Sequence, residues 1–320
     1  MQRNQASDAE RAVAAGAPRA YAADHLLPAV FRERACPAKS IASGFSQMKL
    51  GEILVSLGVI DGEDRDFALQ RQGDLDILFG ECCLRLRLIS GAELSWALAR
   101  QFDAVHAPLV SSRYGRDLVT MTAPSGPYAE TLRALAGRLM SNVLLGGRKA
   151  LAVSSAEPGE GRSHLAANLA VSFACAGYRT LLLDADFRHP KQHENFGIRQ
   201  FPGLSRLLCG YTPEDVVRQV PFVENLSLVT AGPLPPNPSE LLGRGQLAGL
   251  IEEAKAHYDV ILVDTPAGDR FPDAELVAPA VDAVLMVARK NRTRERQLKA
   301  FADRLAATGA FFAGTLMTDH

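Results

Sequence analysis

From residue 149 onward, short apolar runs recur, each closed by polar or charged residues. They are ALAVSS (150–155), TLLLDAD (180–186), LSLVTAG (226–232), DVILVDTP (259–266), DAVLMVARK (282–290) and FFAGTLM (311–317). Runs this short, apolar throughout rather than alternating, predict strands buried on both faces. Between them lie stretches with helical spacing: SHLAANLAVSFACAG (163–177), which Gly177 closes, and residues 246–257 and 294–307. Strand and helix in alternation predict an α/β fold with a mostly parallel sheet flanked by helices.

Ahead of the first strand the pattern changes. Leu132, Leu135 and Leu139 recur at helical spacing after the start signal Pro124-Ser125-Gly126-Pro127. Further upstream, residues 49–72 (KLGEILVSLGVIDGEDRDFALQRQ) and 78–101 (LFGECCLRLRLISGAELSWALARQ) repeat at an offset of 29. Gly51 matches Gly80, Glu52 matches Glu81, Ile60 matches Ile89, Leu69 matches Leu98, and Gln72 matches Gln101. Each copy reads as two short helices. The turns fall near Asp61-Gly62 and Ser90-Gly91, and Ser90 is placed as an N-cap. Neither copy can bury its apolar face alone, so the two are expected to pack on each other. The organisation expected is a disordered segment (1–45), a helical repeat domain (46–105), a linker (106–125) and a nucleotide-binding domain (126–320).

Composition narrows the function classes. The net charge is -1, with no basic excess to point to nucleic acid. The five cysteines, Cys36, Cys82, Cys83, Cys175 and Cys209, form no C-x-x-C pair and fit reduced thiols in a cytoplasmic protein. No apolar run approaches the ~20 residues of a membrane span, and the N-terminus lacks the apolar core of a signal peptide. Any membrane role is therefore expected through a partner.

The candidate chemistry lies at the ends of the predicted strands. The first strand runs into AEPGEGRS and then a helix, the context a phosphate-binding loop requires. Glycines let backbone N–H groups turn inward, and a helix N-terminus favours anions. Ser163 stands where a hydroxyl would meet Mg²⁺. LLLDADFR places Asp184, Asp186 and Arg188 after the second strand, and VILVDTP ends another in Asp264. A lone strand-end Asp is more often a turn or cap residue. Three such motifs in order, each where α/β sheets bind ligands, are far more specific.

This order (A-x-P-G-x-G-[KR]-S, then apolar-DxDxR, then apolar-DxxP) resembles the bacterial tyrosine kinases. These are P-loop proteins related to the deviant-Walker ATPases that partition chromosomes and place division sites. GLSRLLCG (203–210), AGPLPPNPSELLG (231–243) and VARKNRTR (287–294) agree. The resemblance runs from Pro127 to the C-terminus and is closest to the soluble kinases of exopolysaccharide operons. It implies an ATP- and Mg²⁺-dependent autokinase that regulates polymer chain length or export. Pro158, Gly159, Glu160, Gly161, Arg162, Ser163 and His164 would hold the nucleotide. Arg162, Asp184 and Asp186 would be catalytic, and Ser163, Asp184 and Asp264 would face the metal. The implied partners are the cytosolic tail of a membrane chain-length-determinant (polysaccharide copolymerase) protein, a tyrosine of this chain or another protein as acceptor, and further copies in a homo-oligomer. The location would be cytoplasmic, peripheral to the inner membrane through that partner.

The chain departs from the pattern in places. Arg162 replaces the usual lysine, Ala156 the first glycine and His164 a second Ser or Thr. The family's E-x-x-R-x-x-R oligomerisation pattern keeps Glu130 and Arg133 but has Ala136 at its third position. A C-terminal tyrosine cluster is missing, leaving Tyr21 and Tyr114 as acceptor candidates. These departures keep open a nucleotide-dependent scaffold or pseudokinase of the polysaccharide machinery. A partitioning-type ATPase is the third reading, and the DxDxR motif argues against it. The repeat is similar to the N-terminal domain of type II secretion and pilus ATPases, some of which bind cyclic di-GMP. Lys49 and Leu78 stand where guanine-stacking arginines would be, and Arg87 stands where the first copy has Gly58. A structural or docking role is the leading reading for the repeat, with cyclic di-GMP binding the alternative.

Overall fold

The computed structural model describes residues 48–319 except 57, 76, 92, 95, 96, 99–117, 125, 145, 212–215 and 222. The predicted acceptor candidates Tyr21 and Tyr114, and the segment expected to be disordered, lie outside the described residues.

Seven strands form one sheet: β1 Ala150–Ser155, β2 Thr180–Asp184, β3 Arg218–Gln219, β4 Leu226–Val229, β5 Val260–Asp264, β6 Ala283–Arg289 and β7 Phe312–Thr318. Their order is β3-β4-β2-β5-β1-β6-β7. All neighbours pair in parallel except β3 with β4. The sheet's period of two divides its side chains between two cores. Leu151, Val153, Leu182 and Leu262 face one core, with the helices Pro127–Leu139 and Arg162–Cys175. Ala152, Leu181, Leu183 and Val263 face the other, with residues of the helices Gln246–Ala254, Asp273–Val277 and Glu295–Ala307. Both faces are covered, which is why these strands read as unbroken apolar runs. The short antiparallel β3 left no such run and was not predicted.

The parallel register sets the site. Asp184 and Asp264 are direct partners across β2 and β5, the last residues of both strands. β1 lies on the other side of β5. Its C-terminal end therefore delivers the glycine-rich loop beside both carboxylates.

The N-terminal helices are α1 Leu50–Ser56, α2 Gly62–Leu75 and α3 Phe79–Arg85. Ile53, Leu54, Ile60 and Ala68 of the first copy share one buried cluster with Cys83, Ile89 and Ala97 of the second. The turns are capped where the sequence placed them. Asp61 Oδ1 accepts from Asp64 N at 2.7 Å. Ser90 and Glu93 bond reciprocally, with Ser90 N donating to Glu93 Oε2 at 2.7 Å and Glu93 N to Ser90 Oγ at 3.3 Å. That reciprocal pair is a capping box.

The end of the expected linker differs from the sequence reading. Residues 119–122 form a helical turn, α4 (Val119–Thr122), and Leu118 and Met121 are buried in the core beneath the sheet. Thr120 donates from N and Oγ1 to Asn168 Oδ1 at 3.0 and 2.9 Å. Leu118 and Met121 stand three apart, a single helical neighbour pair in too short a run to show a period. The next helix is α5 (Pro127–Leu139), with proline in its first turn.

Candidate functional site

The loop after β1 opens on Ser155 and closes on α6 (Arg162–Cys175). Two of its turns need left-handed backbone, and both are glycine: Gly159 at φ 76° and Gly161 at φ 93°. A residue with a Cβ is strained there. Glu160 between them is fully buried. Its Oε2 accepts from Glu157 N at 2.9 Å, and its Oε1 meets the Thr293 hydroxyl beyond β6. The Glu160 side chain thus braces the loop from behind.

Arg162 points inward and is 9% exposed. Its Nε donates to the Thr265 carbonyl at 2.7 Å, Nη1 to Ser155 Oγ at 2.9 Å and Nη2 to Asp186 Oδ2 at 3.1 Å. One planar guanidinium therefore joins the ends of β1, β2 and β5, which a single ammonium could not do with the same directed fork. Loss of either partner of such a buried pair leaves an uncompensated charge.

The two aspartates of DxDxR both reach the site, because β2 ends at Asp184 and the chain then turns. Asp186 Oδ1 accepts from Arg188 N and His189 N at 3.2 and 2.9 Å. Asp184 Oδ1 accepts from Asp186 N at 3.2 Å. Its Oδ2 accepts from Lys191 N and Gln192 N at 3.2 and 3.1 Å, at the start of α7 (Gln192–Asn195). The cap reading of a strand-end Asp therefore holds for Asp184 as well. Arg188 turns outward from the loop. It pairs with Asp273 at 2.6 Å, bonds Ser239 at 3.0 Å, and lies 3.4 Å from the Phe271 ring centroid.

Asp264 is fully buried. Its Oδ2 accepts from Gln192 Nε2 at 2.7 Å, while its Oδ1 has no hydrogen-bond partner among the described residues. Burial pushes its carboxyl up to about 6, against the downward pull of Arg162, Gln192 and the Ser163 hydroxyl. Burial first, and then the neighbouring Asp264, push Asp184 well above the ordinary carboxylate range. Two buried carboxyls side by side resist joint ionisation.

A hard divalent cation fits this chemistry: a buried unpartnered carboxylate oxygen, a hydroxyl beside it and crowded negative charge. Among the described residues no group of three or more His, Cys, Asp or Glu could hold a metal ion unaided. Mg²⁺ suits that sparse set, since it keeps several waters and takes substrate phosphate oxygens.

His164 does not turn its side chain toward the loop. Its Nε2 meets the Tyr128 hydroxyl of α5 at 3.1 Å. Sequence reasoning missed Ser155, Thr265 and Gln192. Gln192 lies 72 residues from Asp264 along the chain, and no local pattern links them.

No protein-family model matches the chain. It is 33% identical over 206 residues to the tyrosine-protein kinase YwqD of Bacillus subtilis, covering 64% of this chain and 87% of that one. It is 32% identical over 182 residues to the tyrosine-protein kinase CpsD of Streptococcus pneumoniae, covering 56% and 80%. Among solved structures it is similar to the kinase domain of the Escherichia coli tyrosine kinase ETK. The TM-score there is 0.62 at 28% identity, covering 65% of this chain and 81% of that one. With a third of its residues shared over most of YwqD, and the P-loop, DxDxR and strand-end Asp264 gathered at the C-terminal ends of the three central strands, the chain belongs to the family of bacterial tyrosine kinases.

Proposed function

We propose that the chain is an ATP-dependent protein tyrosine kinase, an autokinase of capsule or exopolysaccharide synthesis. The observation that carries this reading is the meeting of Arg162, Ser163, Asp186 and Asp264, with the unpartnered Asp264 Oδ1 among them. Residues 158–164 wrap the triphosphate with backbone N–H groups and the N-terminus of α6. Ser163 and Asp264 would hold Mg²⁺ through oxygen, with Asp184 beside them. Bound there, the ion neutralises charge on the phosphate oxygens. In the reaction, the tyrosine Oη bonds to the γ-phosphorus, the bond to the β–γ bridging oxygen breaks and ADP leaves. The phenolic proton would pass to a carboxylate of the DxD turn, Asp184 or Asp186.

Among the described residues no helix is long and apolar enough to cross a membrane. The cytosolic tail of a membrane chain-length protein is the activator this reading expects. It would recruit the kinase from the cytoplasm to the inner membrane.

The test is Mg·ATP affinity of the full chain beside Asp264→Asn and Arg162→Lys, followed by transfer of labelled γ-phosphate to tyrosine. The expected outcome is micromolar binding, weakened at least about tenfold by Asp264→Asn, with phosphotyrosine formed. A second reading, a nucleotide-dependent scaffold, is favoured by the contacts of one residue: Arg162 already has Asp186, Thr265 and Ser155 as partners. Binding without phosphoryl transfer, with or without the activating tail, would select the scaffold. No binding, rescued by Arg162→Lys, would mean that the arginine closes the loop.

A further inference from the structure

Gln192 sits at the centre of the site, and none of the three motifs contains it. Its side chain is fully buried on the first turn of α7. Its Nε2 donates to Asp264 Oδ2 at 2.7 Å and to the Ser163 carbonyl at 3.0 Å. Its Oε1 accepts from Asn195 Nδ2 at 3.2 Å, and its backbone N–H goes to Asp184 Oδ2. One residue thus touches the phosphate loop, the DxD turn and the β5 carboxylate.

The amide orientation follows from its partners. A carbonyl and a carboxylate oxygen both accept, so the NH₂ end must face them. The Asn195 donor on the opposite side agrees. With its amide anchored at both ends, Gln192 has little freedom to rotate. It therefore fixes which Asp264 oxygen is occupied and which is left free.

We propose that Gln192 is the positioning residue of the metal site. By engaging Asp264 Oδ2, it presents Oδ1 as the oxygen available to the Mg²⁺ shell. By the same amide, through the Ser163 carbonyl, it locks Ser163, another metal-facing residue, to the Asp264 strand end. The proposal rests on the reading of this site as a Mg²⁺–nucleotide site. Outer partners of metal-ligating carboxylates typically contribute about ten- to a hundredfold in metal affinity.

The experiment titrates a fluorescent ADP analogue into the full chain at stepped MgCl₂ concentrations and again in excess EDTA. Wild type is compared with Gln192→Met, Gln192→Glu and Gln192→Asn, and the melting of each apo protein is recorded. The expected result is a rise of about ten- to a hundredfold in the Mg²⁺ concentration for half-maximal enhancement in Gln192→Met. Affinity in EDTA stays within about twofold of wild type. Gln192→Glu, which turns an acceptor toward Asp264, shifts the Mg²⁺ midpoint at least as far. Gln192→Asn, which keeps the amide but one methylene short, falls between wild type and Gln192→Met. It also carries the comparison should the longer replacements fail to fold. Folded variants with a wild-type Mg²⁺ midpoint overturn the proposal, and so does equal weakening with and without Mg²⁺. Wild type whose ADP binding ignores Mg²⁺ overturns the nucleotide-site reading itself, and the role of Gln192 with it.

Discussion

At the scale of single residues, Asp264 sets function against stability. Its carboxyl titrates at about 6 when folded, against the ordinary 3.8 of an exposed aspartate. Between those two values the folded chain holds a proton that the unfolded chain has released. Its contribution to stability is therefore fully present below the unfolded value and is lost as pH rises through the folded one. At neutral pH the apo protein carries a buried negative charge that Arg162 and Gln192 only partly offset. Asp264→Asn removes that charge and keeps a group able to bond Gln192. We expect the Mg²⁺-free variant to be more stable than wild type at neutral pH, by up to about 3 kcal/mol. Its stability should also change less across the acid side of neutrality, as measured by urea unfolding at a series of pH values. Wild type more stable than the variant at neutral pH would show that Asp264 is not strained in the apo state. The same substitution should weaken Mg·ATP, a stability–function conflict expected at a binding site. Asp184, Asp186 and Asp264 were legible in the sequence because each follows an apolar strand. Their separate tasks were not legible. That Asp184 caps a turn while Asp264 keeps an oxygen free depends on partners that only the folded chain brings together.

At the scale of elements, the N-terminal repeat is repeated in its hydrogen bonds as well as its residues. In the first copy Val59 N donates to the Leu54 carbonyl at 3.0 Å and Gly58 N to Val55 at 2.9 Å. In the second, Leu88 N donates to the Cys83 carbonyl at 3.0 Å and Arg87 N to Leu84 at 3.1 Å. Both are Schellman endings, which place one residue in left-handed backbone. That residue is Gly58 at φ 64° in one copy and Arg87 at φ 57° in the other. Glycine adopts the conformation freely, whereas arginine is disfavoured there by about 1 kcal/mol. Arg87→Gly should therefore raise the stability of the repeat by up to about 1 kcal/mol, and Gly58→Ala should lower it by a similar amount. Thermal melts of the two variants check the pair, and a loss of stability in Arg87→Gly would mean that the arginine side chain makes an important contact. The offset of 29, the turns near Asp61 and Ser90, the cap at Ser90 and the shared core were legible, because periodicity and capping chemistry are local. The two-residue strand β3 was not, since its pairing with Leu228 and Ser227 is set by the sheet edge it joins.

At the scale of the whole molecule, the question is where the kinase unit begins. Apolar spacing placed its start near residue 126, and the burial of Leu118, eight residues earlier, is the ground for proposing an earlier start. Leu118 is fully buried and Met121 is 6% exposed in the core shared by α5, α6 and the sheet. Thr120 supplies two donors to the buried Asn168 Oδ1 in the middle of α6, the helix that begins at the phosphate loop. Val59 of the repeat also packs against that core, though only partly buried. A chain beginning at residue 116 keeps the contacts of α4 with α5 and α6 and gives up the preceding segment that carries the repeat. It should bind Mg·ATP as the full chain does. A chain beginning at residue 126 loses two buried apolar side chains, together about 4 kcal/mol. It also removes both Thr120 hydrogen bonds to Asn168 Oδ1, a further cost of about 1–3 kcal/mol. For a unit of about 200 residues that corresponds to a melting temperature lower by roughly 10 °C or more. Calorimetric melts of the two shortened chains, with ADP affinity measured beside each, decide the matter. Equal melting temperatures would return the boundary to residue 126. A lower melting temperature with weaker nucleotide binding would show that α4 steadies the helix that carries the phosphate loop.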